Sequence, residues 1–424
     1  MLDIEDSTVM AASAIPLDGN PLDKINGLID ITSSFLSVGS FAFPSVKVAL
    51  EGIMVVGALI KTLNSTIPDQ KDPIMDKLLE LERNIHSLVD KMNMKFDDMK
   101  AFITEINFHD RVIQPNSKLT RYLMDCINHP GKESLQNLKD AYSKYKPLDL
   151  AYTVMGLMDH EITNPLKMAM NADLLKTKTT FDKWDTTIRS VLAQFLFLEA
   201  FSSGLVSDGG LYDSKRMIEK SLGLFTKIDQ WKADYTNSGS YWSGLKTYLE
   251  QFVDDSQNQK LNKSEKADKL KKMMDTVLTN DAFYIVVFSG RGEWKKTYAY
   301  HCPKADTQMV GCWNRSGCSV FIYRSHEGNK KHPLEYKFMR REVELCKRGK
   351  LVYTHSMEDA PKSVANDPIF DAGLICCINI VEKPEVRSAN CPNWEWGPGW
   401  WITAYMKSRD YNMEIQITLI AAFE

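Results

Sequence analysis

Apolar residues recur every seven positions between residues 72 and 113. Leu78, Ile85, Met92, Met99 and Ile106 form one series, and Leu81, Leu88, Lys95, Phe102 and His109 form its companion. This stripe, broken only by Lys95 and His109, predicts one helix of about 40 residues, roughly 60 Å long. Pro73 falls just inside its start and Pro115 just past its end. A helix that long belongs to an elongated bundle or a coiled coil. The apolar helices that follow favour the bundle.

Helical periodicity continues over 117–129, 133–145, 148–161, 165–177, 180–203, 212–236, 241–255 and 264–279. In the fifth of these, Phe181, Trp184, Ile188, Val191, Leu192, Phe195, Leu196 and Leu198 cover more than half the circumference. That helix is expected at the centre of the bundle. Near Asn280 the pattern changes. Phe283-Tyr-Ile-Val-Val-Phe288 is a β-branched and aromatic run closed by Ser289-Gly-Arg-Gly292. Further strands are expected at 296–301, 318–324, 334–338, 350–355, 372–381, 400–407 and 413–423. The expected fold is therefore α+β in two domains: an all-α bundle over residues 1–279 and a β-rich, sandwich-like domain over 280–424.

Residues 31–60 stand apart. They carry two charges, Lys47 and Glu51, spaced four apart so that one helix face holds both. Pro44 breaks the stretch into two short apolar helices, too short for one spanning helix of roughly 20 residues. In a soluble bundle this hairpin is expected to be buried. Its small residues would also suit packing in lipid. If it leaves the bundle, the membrane-inserting side chains are Phe35, Leu36, Phe41, Phe43, Val46, Val48, Leu50, Ile53, Val55, Val56, Leu59 and Ile60.

A length of 424 residues suits two domains. The net charge of −3 and the lack of a long basic run argue against a nucleic-acid partner. The first residues, MLDIEDSTVMAASAIPL, do not read as a secretory signal. The chain is then cytoplasmic, or its numbering starts on a processed, secreted form. The cysteines point to secretion. Cys302, Cys312, Cys318, Cys346, Cys376, Cys377 and Cys391 crowd the final segment, as a disulfide framework would, and only Cys126 lies elsewhere. Buried thiols in a cytosolic domain are the alternative.

No dinucleotide fingerprint, P-loop, nucleophile elbow or His-Glu-x-x-His occurs, so no catalytic residue, cofactor or metal is expected. Asn393-Trp-Glu-Trp-Gly-Pro-Gly-Trp-Trp401 places Trp394, Trp396, Trp400 and Trp401 within eight positions. Indoles favour wet–apolar boundaries and stack on sugars, which suggests a surface-recognition loop. The competing expectation is that Trp400 and Trp401 begin a strand and pack in the core.

The layout of an apolar N-terminal hairpin, a very long amphipathic helix, more helices and a β-rich domain resembles the helical pore-forming toxin-like proteins of animals. These include the box-jellyfish toxins and their invertebrate relatives. The helical part is similar to the first domain of three-domain insecticidal crystal toxins. The passage from Phe283 through Trp294 to Tyr300-His301-Cys302 looks like the start of the second domain in that group. The resemblance implies a secreted protein that docks on a lipid membrane, glycan or receptor through its C-terminal domain, inserts helices and assembles as a homo-oligomer. The alternative is a non-lytic binding or scaffold protein that uses the heptad helix and the β domain for its contacts.

Overall fold

The computed structural model describes residues 108–129, 131–206, 212–289, 297–349, 357–365, 372–379, 383–391, 397–407 and 414–424, with Glu80 and Arg83. The insertion set from Phe35 to Ile60, most of the heptad helix, the strand expected at 350–355, Trp394 and Trp396 lie outside the described residues. The chain forms two compact units. One comprises Met1–Ala169 and Phe181–Trp231, the other Met170–Thr180 and Lys232–Glu424.

In the first unit a π-helical turn, His109–Ile113, runs directly into α1 (Gln114–Asn128). The expected stop at Pro115 does not occur. Pro115 sits in the first turn of α1, directly after the π-helical turn, and the helical path continues through it. Then follow α2 (Lys132–Lys144) and α3 (Pro147–Asp159), and after them α4 (Pro165–Ala172), α5 (Lys178–Val206) and α6 (Tyr212–Ser238), each of which has its larger part in this unit and one end in the other. All eight apolar residues assigned to the centre of α5 are buried. The same helix also buries Gln194 and Glu199. Gln194 accepts from Asn116 at 2.9 Å, and Glu199 accepts from the Tyr142 hydroxyl at 2.6 Å. Partners of this kind allow polar groups inside an apolar helix layer.

The second unit adds α7 (Trp242–Asp254) and α8 (Lys263–Met274), the strands β1 (Ala282–Ser289), β2 (Tyr298–His301), β3 (Met309–Arg315) and β4 (Cys318–Ser325), then α9 (Pro333–Gly349) and α10 (Asp359–Ala365). The strands β5 (Leu374–Asn379), β6 (Glu385–Ala389), β7 (Gly399–Lys407) and β8 (Glu414–Ala422) complete it. They form two antiparallel sheets, β3-β4-β1-β6 and β2-β5-β8-β7.

Three apolar clusters define four layers. Tyr284, Val286 and Phe321 of the first sheet meet Cys376, Ile378 and Ile420 of the second. The other face of the first sheet, through Phe283, Ile285 and Val320, packs on Leu245, Leu249, Ala267 and Leu270 of α7 and α8. The other face of the second sheet packs on Tyr336, Met339 and Val343 of α9 and on Val364 of α10. Strands covered on both sides need no polar alternation, which is why Ala282–Phe288 is buried throughout.

Two expectations need correction. The compositional change near Asn280 is not the unit boundary, because α7 and α8 bury their apolar faces on the first sheet and belong with it. Residues 334–338 are not a strand but the start of α9. Tyr336, Met339, Val343 and Cys346 recur at helical spacing, and Pro333 pre-sets the first turn.

Candidate functional site

The Gly-Pro-Gly, Trp400 and Trp401 are structural. Gly397 has φ +69°, and a Cβ on it would lie 2.3 Å from the Ser388 Cβ. A Cβ on Gly399 would lie 2.1 Å from the Ala421 carbonyl oxygen, because β7 and β8 approach closely there. Trp400 and Trp401 then face opposite ways on β7. Trp400 is 8% exposed in the layer between the second sheet and α9, with the Arg340 guanidinium 4.9 Å over its ring. Trp401 packs against the inter-sheet core, half-buried, with Lys383 5.6 Å over it. The surface-recognition role expected of Trp400 and Trp401 gives way to core packing.

The cysteines are likewise packing groups. All eight lie among the described residues, and each is a thiol. The expected disulfide framework over Cys302, Cys312, Cys318, Cys346, Cys376, Cys377 and Cys391 is absent. Cys312 and Cys318 fill the cluster under α7 and α8, Cys302 and Cys376 contribute between the sheets, and Cys346 and Cys377 lie under α9. A thiol in such places behaves as a small hydrophobe. Burial pushes Cys302 and Cys391 up to about 11 and Cys377 up to about 12, so they are poor nucleophiles at neutral pH.

An exposed apolar surface occurs instead on α9. His332 opens the helix by donating its backbone N–H to Glu335 at 3.1 Å. The Tyr336 hydroxyl donates to the Gly328 carbonyl at 2.5 Å, and its ring meets Phe423 edge-on at 5.2 Å. These contacts fix the rotation of the helix. Its opposite face then presents Leu334 (65% exposed), Phe338 (53%) and Leu345 (48%), whose spacing of four and seven aligns them in one stripe. The sequence passage over 334–338 looked like a strand, which hid the stripe.

A second exposed feature joins the edge strands β2 and β3. Tyr298 stacks on Trp313 at 4.2 Å and lies parallel to Tyr300 at 6.5 Å. The Trp313 ring lies over Gly311, where a Cβ would come within 2.6 Å of it. Tyr300 is the exposed end of this row, and no aromatic cluster was evident here from the sequence.

Among the described residues no group of His, Cys, Asp and Glu is arranged to hold a metal, and no helix is long and apolar enough to cross a membrane. No curated protein and no solved structure matches the chain. Residues 76–413 match the family described as Protein of unknown function (DUF684), and because that match spans most of its length the chain belongs to this family.

Proposed function

We propose that this chain is a membrane-docking protein of toxin-like or defence type. In this reading the C-terminal, sheet-containing unit makes the contact, and the apolar hairpin of residues 31–60 inserts. The observation that carries the docking step is the Leu334–Phe338–Leu345 stripe. It is apolar, outward-facing and held on a helix whose other face is already packed. Contiguous apolar surface left open to water marks interaction sites, which supports this reading. Insertion is supported by the composition of residues 31–60 alone.

A second reading, a non-lytic binding or scaffold protein, draws on a different observation. Eight thiols with no disulfide suit a reducing compartment. Dye release from lipid vesicles, with and without cell-derived glycolipids, separates the two. The pore reading expects leakage that Val55→Asp abolishes in a folded protein. Docking without leakage, by protein that stays monomeric on the vesicle, sinks the insertion step and leaves the binding reading.

A further inference from the structure

We infer that the outer face of α9 is a docking face for an anionic phospholipid bilayer, with the helix lying in the plane of the head groups. The inference rests on the membrane-docking reading and names where it acts and on which lipid class.

Charge decides the partner. Over residues 330–346 five Lys and Arg stand against three Glu, in a chain whose net charge is −3. Within this segment Lys331 pairs with Glu335 at 3.2 Å and Arg340 with Glu344 at 3.1 Å, so those four charges are internally compensated. Lys337 and Arg341 are exposed and form no ion pair among the described residues. They are spaced four apart, and their helical positions adjoin the apolar stripe along one side. The surface therefore offers aliphatic and aromatic groups beside uncompensated cations. That is the pattern of a helix lying at an acidic lipid interface, with apolar groups below the phosphate plane and cations in it.

A glycan would call for ring faces flanked by hydrogen-bonding groups, which Leu334 and Leu345 do not provide. The helix is also pre-formed. Tyr336, Met339 and Val343 already bury its inner face, so docking carries no cost of folding it.

The test is flotation of the full-length protein with two kinds of vesicle, phosphatidylcholine alone and phosphatidylcholine mixed with phosphatidylserine. Binding is expected to the mixed vesicles only, and to weaken as salt is raised. Two double variants are compared with the wild type: Leu334→Asn with Phe338→Ser, and Lys337→Glu with Arg341→Glu. All four positions are exposed, so thermal melting should be unchanged. Each pair should lower binding about tenfold or more. If one pair misfolds, the other still reads the face.

Wild type that binds phosphatidylserine vesicles while both folded variants bind equally well would overturn this inference and leave docking to another surface. Equal binding to neutral and acidic vesicles would overturn the lipid class. Wild type that binds neither vesicle would overturn the membrane-docking reading itself.

Discussion

Tyr241 donates its phenolic hydrogen to Oδ2 of Asp281 at 2.6 Å. The other carboxylate oxygen lies 2.7 Å from Nδ1 of His326. Arg324 adds Nη1 at 3.8 Å from Oδ2, and its guanidinium lies 4.2 Å over the Trp242 ring. Asp281 and Arg324 are both nearly enclosed. Burial and the neighbouring carboxylate push Tyr241 well above the usual tyrosine range, so it stays a donor. The network ties α7 to β1 and β4.

Asp281→Ala is expected to destabilise the protein by about 3–5 kcal/mol, because Arg324 would remain buried without its counter-charge. Tyr241→Phe leaves Asp281 with His326 and Arg324 and should cost about 1.5–3 kcal/mol. Urea unfolding of both variants checks the order. Equal, small losses would show that the network is dispensable.

A second carboxylate makes stability depend on acid. Asp173 accepts from the Leu175 and Thr177 backbone N–H groups at 3.0 and 2.9 Å, and from the Thr177 and Thr180 hydroxyls at 2.6 and 2.8 Å. Burial opposes its ionisation. The bonds, led by that from the Thr177 hydroxyl, outweigh burial and hold the carboxyl below its ordinary value. A depressed carboxyl contributes stability fully above its unfolded value near 4 and loses it as pH falls through the lower folded value. Asp173→Asn should therefore be less stable than wild type at neutral pH, with the gap narrowing below about pH 4. Melting temperatures across that range test the sign.

The thiols give a direct chemical test. Without reductant, the unfolded protein should titrate as eight thiols. The folded protein should react slowly, because a thiol held near 11, such as Cys302, is ionised in about one molecule in ten thousand at pH 7. A lower count after unfolding would show disulfides and restore the secreted framework that the cysteine clustering suggested.

Much of the helical architecture was legible before any coordinates. The spacing of Phe181, Trp184, Ile188 and Phe195 placed α5 at a centre, and those side chains are buried. What escaped was information that is not periodic. β3 and β6 were not among the expected strands, although β6 pairs with β1 in register and β3 pairs with β4 across a bulge between Cys312 and Arg315. α9 was misread over 334–338 because five residues cannot separate a half-buried strand from a helix. The buried Val343 and Cys346 further along carry the period. The docking stripe was lost with it. The cysteine count resembled a secreted framework only because thiols and small apolar residues fill core sites alike, and sequence spacing does not distinguish them.

Trp400 and Trp401 separate packing from docking most sharply. Trp400 lies between β7 and α9 under Arg340, and Ile375, Ile417 and Ala421 share its cluster. Truncation there removes an indole from a covered layer, so Trp400→Ala should cost about 3–5 kcal/mol. Trp401 is half-buried and should cost less. Neither side chain belongs to the exposed stripe, so the loss should appear in unfolding and not in vesicle binding by the protein that remains folded. Phe338→Ser should behave in the opposite way. It is 53% exposed, its removal opens no cavity, and its effect should fall on binding. Measuring melting and flotation for Trp400→Ala and Phe338→Ser side by side tests the assignment. A Trp400→Ala protein with a wild-type melting curve and lost binding would return the recognition surface to the tryptophans.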